Sequence, residues 1–163
     1  MAITLPICGG KLIMDDFSYQ RDFVASTAWR LLEMQDRNVY APSYGCFHYA
    51  YWRDKTSEFP DVRFQEAGAT LGILSLPHFM SVREEQNTPS PEILYQGYSA
   101  GLKNWAAQQY PGGSFDEWYK GERGFAATEF PMIAYGLAAK FLGDRQTKKD
   151  KSLNIKTMER AGD

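Results

Sequence analysis

The chain has 163 residues and a mass of 18.6 kDa, with 44% hydrophobic and 23% charged residues, enough for one domain with a core of its own. Its longest apolar runs, such as Ala67 to Pro77, fall short of the roughly 20 residues that a membrane-crossing helix needs, so no membrane partner is expected. Residues 1–143 hold 12 Lys/Arg against 16 Asp/Glu, and 144–163 hold 6 against 4. A mildly acidic body speaks against a nucleic-acid surface.

Met1 to Gly10 contains no basic residue and includes Pro6 and Gly9-Gly10, unlike a secretory signal, which makes cytoplasmic residence the expectation. Cys8 and Cys46 are too few for a disulfide framework or a self-contained zinc site. Both read as free thiols, and neither a metal nor a cofactor is expected.

In chain order, Asp15 or Asp16 caps a first helix from about Phe17 to Met34, with Phe23, Ala28, Leu31 and Leu32 at helical spacing. Gln35 to Phe59 is irregular and rich in aromatic residues. Pro60 and Asp61 open a second helix, patterned by Phe64, Ala67, Leu71 and Leu74, to about Leu76. Ser90 as cap and Pro91 as first residue begin a third, to about Tyr110, which Pro111-Gly112-Gly113 stops. A second aromatic loop, Ser114 to Ala127, leads to a fourth helix from about Thr128 to Leu142, closed by Gly143, with Pro131 tolerated in its first turn. The fold class expected is all-α, two stacked α-hairpins with long aromatic loops. Residues 1–143 form its single helical domain, and 144–163 read as a charged, flexible tail.

A shift of 66 residues places Trp52 on Trp118, Phe59 on Phe125, Phe64 on Phe130, Ala67 on Ile133 and Leu71 on Leu137. Both halves then read as helix, aromatic loop, helix, as in a duplicated α-hairpin.

Aromatic residues make up 15% of the chain, and many lie in the two loops, where long irregular segments carry function. Tyr and Trp rings suit stacking against a sugar face, so Tyr51, Trp52, Trp118 and Tyr119 form a stacking set, unless they fold inward as core. His48, among Tyr44, Tyr49 and Tyr51, has the chemistry of an acid and base with a Tyr relay, or that of a packing residue. Asp116, Glu117 and Glu122, with Asp54 and Glu58, are carboxylates of the kind that hydrolyse glycosidic bonds when suitably spaced. The bland reading of Glu122 is a cap or an ion pair with Arg63 or Arg123. Arg63, at the start of the second helix, faces the first loop or serves as ordinary capping chemistry.

The runs Tyr44-Gly45-Cys46-Phe47, Tyr51-Trp52, Phe59 through Glu66 and Gly121 through Phe130 resemble the N-terminal helical part of heparinase II/III-like and alginate-lyase-like proteins, over Phe17 to Leu142. The resemblance implies a partial α/α toroid acting on an acidic polysaccharide as a polysaccharide lyase or in a glycoside hydrolase-like way. Its counterparts of the family's catalytic Tyr, His and Arg are His48, Tyr49 or Tyr51, and Arg53 or Arg63. Joined to the loop reading, it makes His48 and Tyr51 the expected catalytic residues and Trp52, Arg63, Trp118, Tyr119 and Glu122 the expected substrate-binding ones. A closed toroid takes several hairpins where four helices supply two. The module would therefore bind an acidic glycan and act only with further hairpins, as a homo-oligomer or on a larger protein subunit. The alternative is a non-enzymatic helical scaffold or protein-interaction domain.

Overall fold

In the computed structural model, residues 18–47, 62–79, 88–117 and 119–162 are described. The all-α expectation holds for them: 69% are helical, and the extended pairings among them are two isolated bridges, Gln35 with Phe47 and Phe115 with Gly124. The helices are α1 (Ser18–Ser26), α2 (Ala28–Met34), α3 (Glu66–Leu74), α4 (Pro91–Ala107), α5 (Phe125–Leu142) and α6 (Lys148–Gly162), with short 3-10 turns at Val62–Gln65, Pro77–Phe79 and Gly143–Arg145.

The first expected helix is broken at Thr27. Ser26 and Thr27 turn their hydroxyls back onto the Phe23 and Val24 carbonyls, both at 2.7 Å, the local competition that makes these residues poor helix interiors. Phe23, expected on the apolar face, is exposed, whereas Ala28 and Leu32 are buried. α4 begins as its sequence predicts: the Ser90 hydroxyl accepts from the Ile93 amide at 3.3 Å and Pro91 takes the first position. α5 starts at Phe125, which places Pro131 inside the helix rather than in its first turn. Proline has no amide hydrogen to donate, so the Ala127 carbonyl forgoes the usual bond one turn on. Gly143 ends α5 with φ at 50°.

The core is walled by four helices. α3 packs along both α4 and α5, and α6 packs along both as well. The walls α4 and α5 meet through side chains: Trp105 lies stacked between Tyr135, 4.7 Å away, and Phe115, 5.3 Å away, while Tyr98 and Tyr135 are 6.0 Å apart. α3 approaches closely because a Cβ on Gly68 would sit 2.3 Å from the Tyr135 hydroxyl oxygen. That hydroxyl donates to the Gln65 carbonyl at 2.9 Å, and burial pushes its pKa well above the ordinary value.

Residues 144–163 are expected as a flexible charged tail, but its described part, 144–162, holds the fourth wall. Thr147 caps α6 by accepting from the Asp150 amide at 3.1 Å, and Asp150, Asn154 and Thr157 are buried against the neighbouring helices. The few apolar residues misled the reading, because α6 docks through the buried polar side chains Asp150, Asn154 and Thr157 together with only two apolar ones, Leu153 and Met158, packed against the core. The Asp150 carboxylate accepts from Tyr95 at 2.8 Å, Ser99 at 2.9 Å and Thr147 at 2.9 Å.

The aligned halves of the 66-residue shift differ in burial. Leu71 is fully buried whereas its counterpart Leu137 is 47% exposed, although Ala69 with Tyr135 and Gly72 with Ala138 are buried in both helices.

Candidate functional site

Of the residues singled out from sequence, His48, Tyr51, Trp52 and Trp118 lie outside the described residues. Arg63, Tyr119 and Glu122 are brought to one corner, where the 3-10 turn Val62–Gln65 meets the second loop. The Arg63 guanidinium pairs with the Glu117 carboxylate at 2.5 Å, and the Glu117 amide donates to Glu122 at 3.2 Å. The Glu122 amide in turn donates to the Tyr119 carbonyl at 3.2 Å, and the Tyr119 ring is exposed. Arg63 thus pairs with the Glu117 carboxylate, while Glu122 reaches the same corner as acceptor of the Glu117 amide, in keeping with its capping alternative.

The loop itself is fixed from inside. Phe115 is buried at its base, and its amide donates to the Thr128 hydroxyl at 3.3 Å. Asp116 accepts from the Tyr110 hydroxyl at 2.6 Å and from the amides of Gly121 at 2.8 Å and Arg123 at 2.9 Å. Burial acts to raise the Asp116 pKa, but these donors and the Arg123 charge outweigh it and hold the carboxyl below its usual value. An ionised carboxylate with three donors on its two oxygens shapes the loop. Arg123, in the left-handed region with φ at 52°, lays its guanidinium over the Tyr110 ring at 5.0 Å.

The described part of the first loop also folds inward at its end. Phe47 is buried, its amide donating to the Gln65 side chain at 2.9 Å, while Gln35 donates to the Gly97 carbonyl at 2.8 Å. Gly45 has φ at 88° and lies so close to α4 that a Cβ would fall 2.1 Å from the Ala100 carbonyl oxygen. Cys46 is a free, buried thiol whose pKa is pushed up to about 11 by desolvation, so it is a protonated packing residue near neutrality. Among the described residues, no group of three His, Cys, Asp or Glu is placed to hold a metal ion, and no helix is long and apolar enough to cross a membrane.

The largest departure from ordinary surface chemistry lies on α5. Its inner face buries Ala127, Pro131, Tyr135, Ala138 and Leu142. Its outer face carries a second apolar row, Phe130, Ile133, Leu137 and Phe141, exposed by 51%, 57%, 47% and 59%. Steps of three, four and four residues make a row about 16 Å long running nearly parallel to the helix axis. The Arg63 guanidinium lies 5.5 Å from the Phe130 ring centre, tying this row to the corner above. The 66-residue shift matches Phe130, Ile133 and Leu137 with Phe64, Ala67 and Leu71 of the second expected helix without saying which face of α5 they occupy. The available signal was that the apolar residues of α5 spread over two sides about 120° apart, too wide for one core-facing stripe.

Set against protein-family models, curated proteins and solved structures, the chain matches none of them.

Proposed function

We propose that this chain is a helical protein-interaction domain whose docking face is the outer side of α5. The observation that carries the reading is the continuous row Phe130, Ile133, Leu137 and Phe141, each about half exposed. Single exposed apolar residues are common on protein surfaces, but a contiguous row of four large ones marks an interaction site. An apolar stripe on a helix is met best by another amphipathic helix, whose side chains fill the spaces between successive turns.

The test is fluorescence anisotropy with a labelled synthetic amphipathic helix carrying apolar residues at the same spacing. Micromolar binding to the protein is expected, with loss of binding in Ile133→Glu and Leu137→Glu variants that keep their circular dichroism. Equal binding by the variants, or none by the parent, removes the reading.

A second reading is a helical module, related to toroidal polysaccharide lyases, that binds an acidic glycan and acts only with a partner or further hairpins. It is favoured by the gathering of Arg63, Glu117, Glu122 and the exposed Tyr119 at one corner. A glycan array addresses binding, and the ultraviolet absorbance of an unsaturated uronate product addresses cleavage. A blank array and flat absorbance across acidic polysaccharides would dismiss it.

A further inference from the structure

The outer row of α5 is nearly symmetric about its own midpoint. Phe130 and Phe141 stand at its ends and Ile133 and Leu137 inside them, so reversing the helix direction reproduces almost the same apolar profile around Tyr135 and Gly136. Flanking the row on one side are the exposed charges Glu129 and Lys140, one near each end. Placed antiparallel against a second copy, Phe130 of one molecule meets Phe141 of the other, Ile133 meets Leu137, and Glu129 meets Lys140 twice. Placed parallel, Glu129 meets Glu129 and Lys140 meets Lys140.

From this self-complementarity we infer that the occupant of the α5 face is a second copy of the same chain, docked antiparallel across a two-fold axis near Gly136. The inference rests on α5 being the interaction face and adds the identity and direction of the partner. An isologous contact requires one patch to be complementary to itself, and both the ring pattern and the charge pattern satisfy that condition. The four side chains at about half exposure offer roughly 400 Å² per copy, or about 800 Å² for the pair, to which the stems of the flanking Glu129 and Lys140 add. That lies at the low end of specific interfaces, so the dimer forms and dissociates with concentration.

Sedimentation equilibrium on the full chain over a wide concentration range tests the inference. The parent protein should show a reversible monomer–dimer transition, and Leu137→Glu should weaken it at least about tenfold, as expected for a charge forced into an apolar contact. Glu129→Lys alone and Lys140→Glu alone should each weaken it about three- to tenfold, since each turns two favourable contacts into repulsions. The double variant should return to within about twofold of the parent, because both pairs are restored with their signs exchanged. A parent that stays monomeric throughout overturns the second-copy inference, and if the synthetic helix still binds, the docking reading stands without it. A dimer insensitive to Leu137→Glu, or to both single charge reversals, also overturns it.

Discussion

The inner face of α6 and the outer face of α5 reverse the usual distribution of polarity. α6 carries Asp150, Asn154 and Thr157 into the interior, whereas α5 carries Phe130, Ile133, Leu137 and Phe141 to the surface. Each arrangement is stable only with partners. Most of these buried polar atoms have theirs inside the molecule: Asp150 has three hydroxyl donors, and the Asn154 amide nitrogen donates to the Tyr135 carbonyl at 3.2 Å, while the Asn154 side-chain oxygen is left without a donor. Burial of such groups is tolerated because the hydrogen bonds lost to water are replaced. Apart from the Arg63 guanidinium over the Phe130 ring, the exposed row finds no such compensation within the described residues and points outward for it. Burial on one helix and exposure on the other therefore answer the same question about where the complementary surface lies.

The sharpest way to break this comparison is Asp150→Ala. It strips the shared acceptor from Tyr95, Ser99 and Thr147, leaving part-buried hydroxyls to find new partners. Loss of charge-assisted bonds at an enclosed site is expected to cost about 3 kcal/mol, measured by urea unfolding with the slope checked for two-state behaviour. An unchanged midpoint would mean that α6 contributes little to the cooperative unit.

The same contrast explains what could be read in advance. α4 was legible down to its Ser90 cap and Pro91 start, because local chemistry alone sets a helix beginning, and Gly143 was legible as a stop for the same reason. α6 was not, since its docking face is largely polar and periodicity arguments look for apolar residues. Yet Thr147, three residues before Asp150, is a capping pattern that composition obscured. For α5 the difficulty was the reverse: two apolar faces satisfy a helical pattern equally well, and only the packing of Tyr135 against Trp105 shows which one points inward. Within the aromatic corner, the sequence anticipated that Arg63 and Glu122 would share a neighbourhood. It did not anticipate Glu117 as the link, because hydrogen bonds across a loop follow its closure by Phe115 and Gly124, which depends on tertiary contacts.

A smaller effect sharpens the comparison by adding a second enclosed carboxylate. Asp116 has a folded-state pKa below its usual value, so its contribution to stability is complete above the unfolded-state pKa, near 4 for an aspartate, and is lost as pH falls through the folded-state value. Asp116→Asn should therefore narrow its stability gap to the parent progressively below about pH 4, as followed by urea midpoints across an acidic series. A constant gap over that range would show that the carboxylate does not titrate as the loop geometry requires.

The smallest effect concerns the outer face of α5 in the isolated chain. Leu137 is about half exposed and lies on average about 110° around the helix from the buried residues Ala127, Pro131, Ala138 and Leu142. Replacing it with serine removes little buried apolar area and introduces a hydroxyl that remains hydrated. Measured at concentrations where association is negligible, Leu137→Ser should change unfolding stability by no more than about 0.5 kcal/mol, the range of ordinary surface substitutions. Leu71→Ala, at the aligned but fully buried position on α3, should cost about 2–5 kcal/mol by removing packed methyl groups and leaving a cavity. Similar losses in the two variants would place Leu137 within the folding core and withdraw the apolar row as a surface available to a partner.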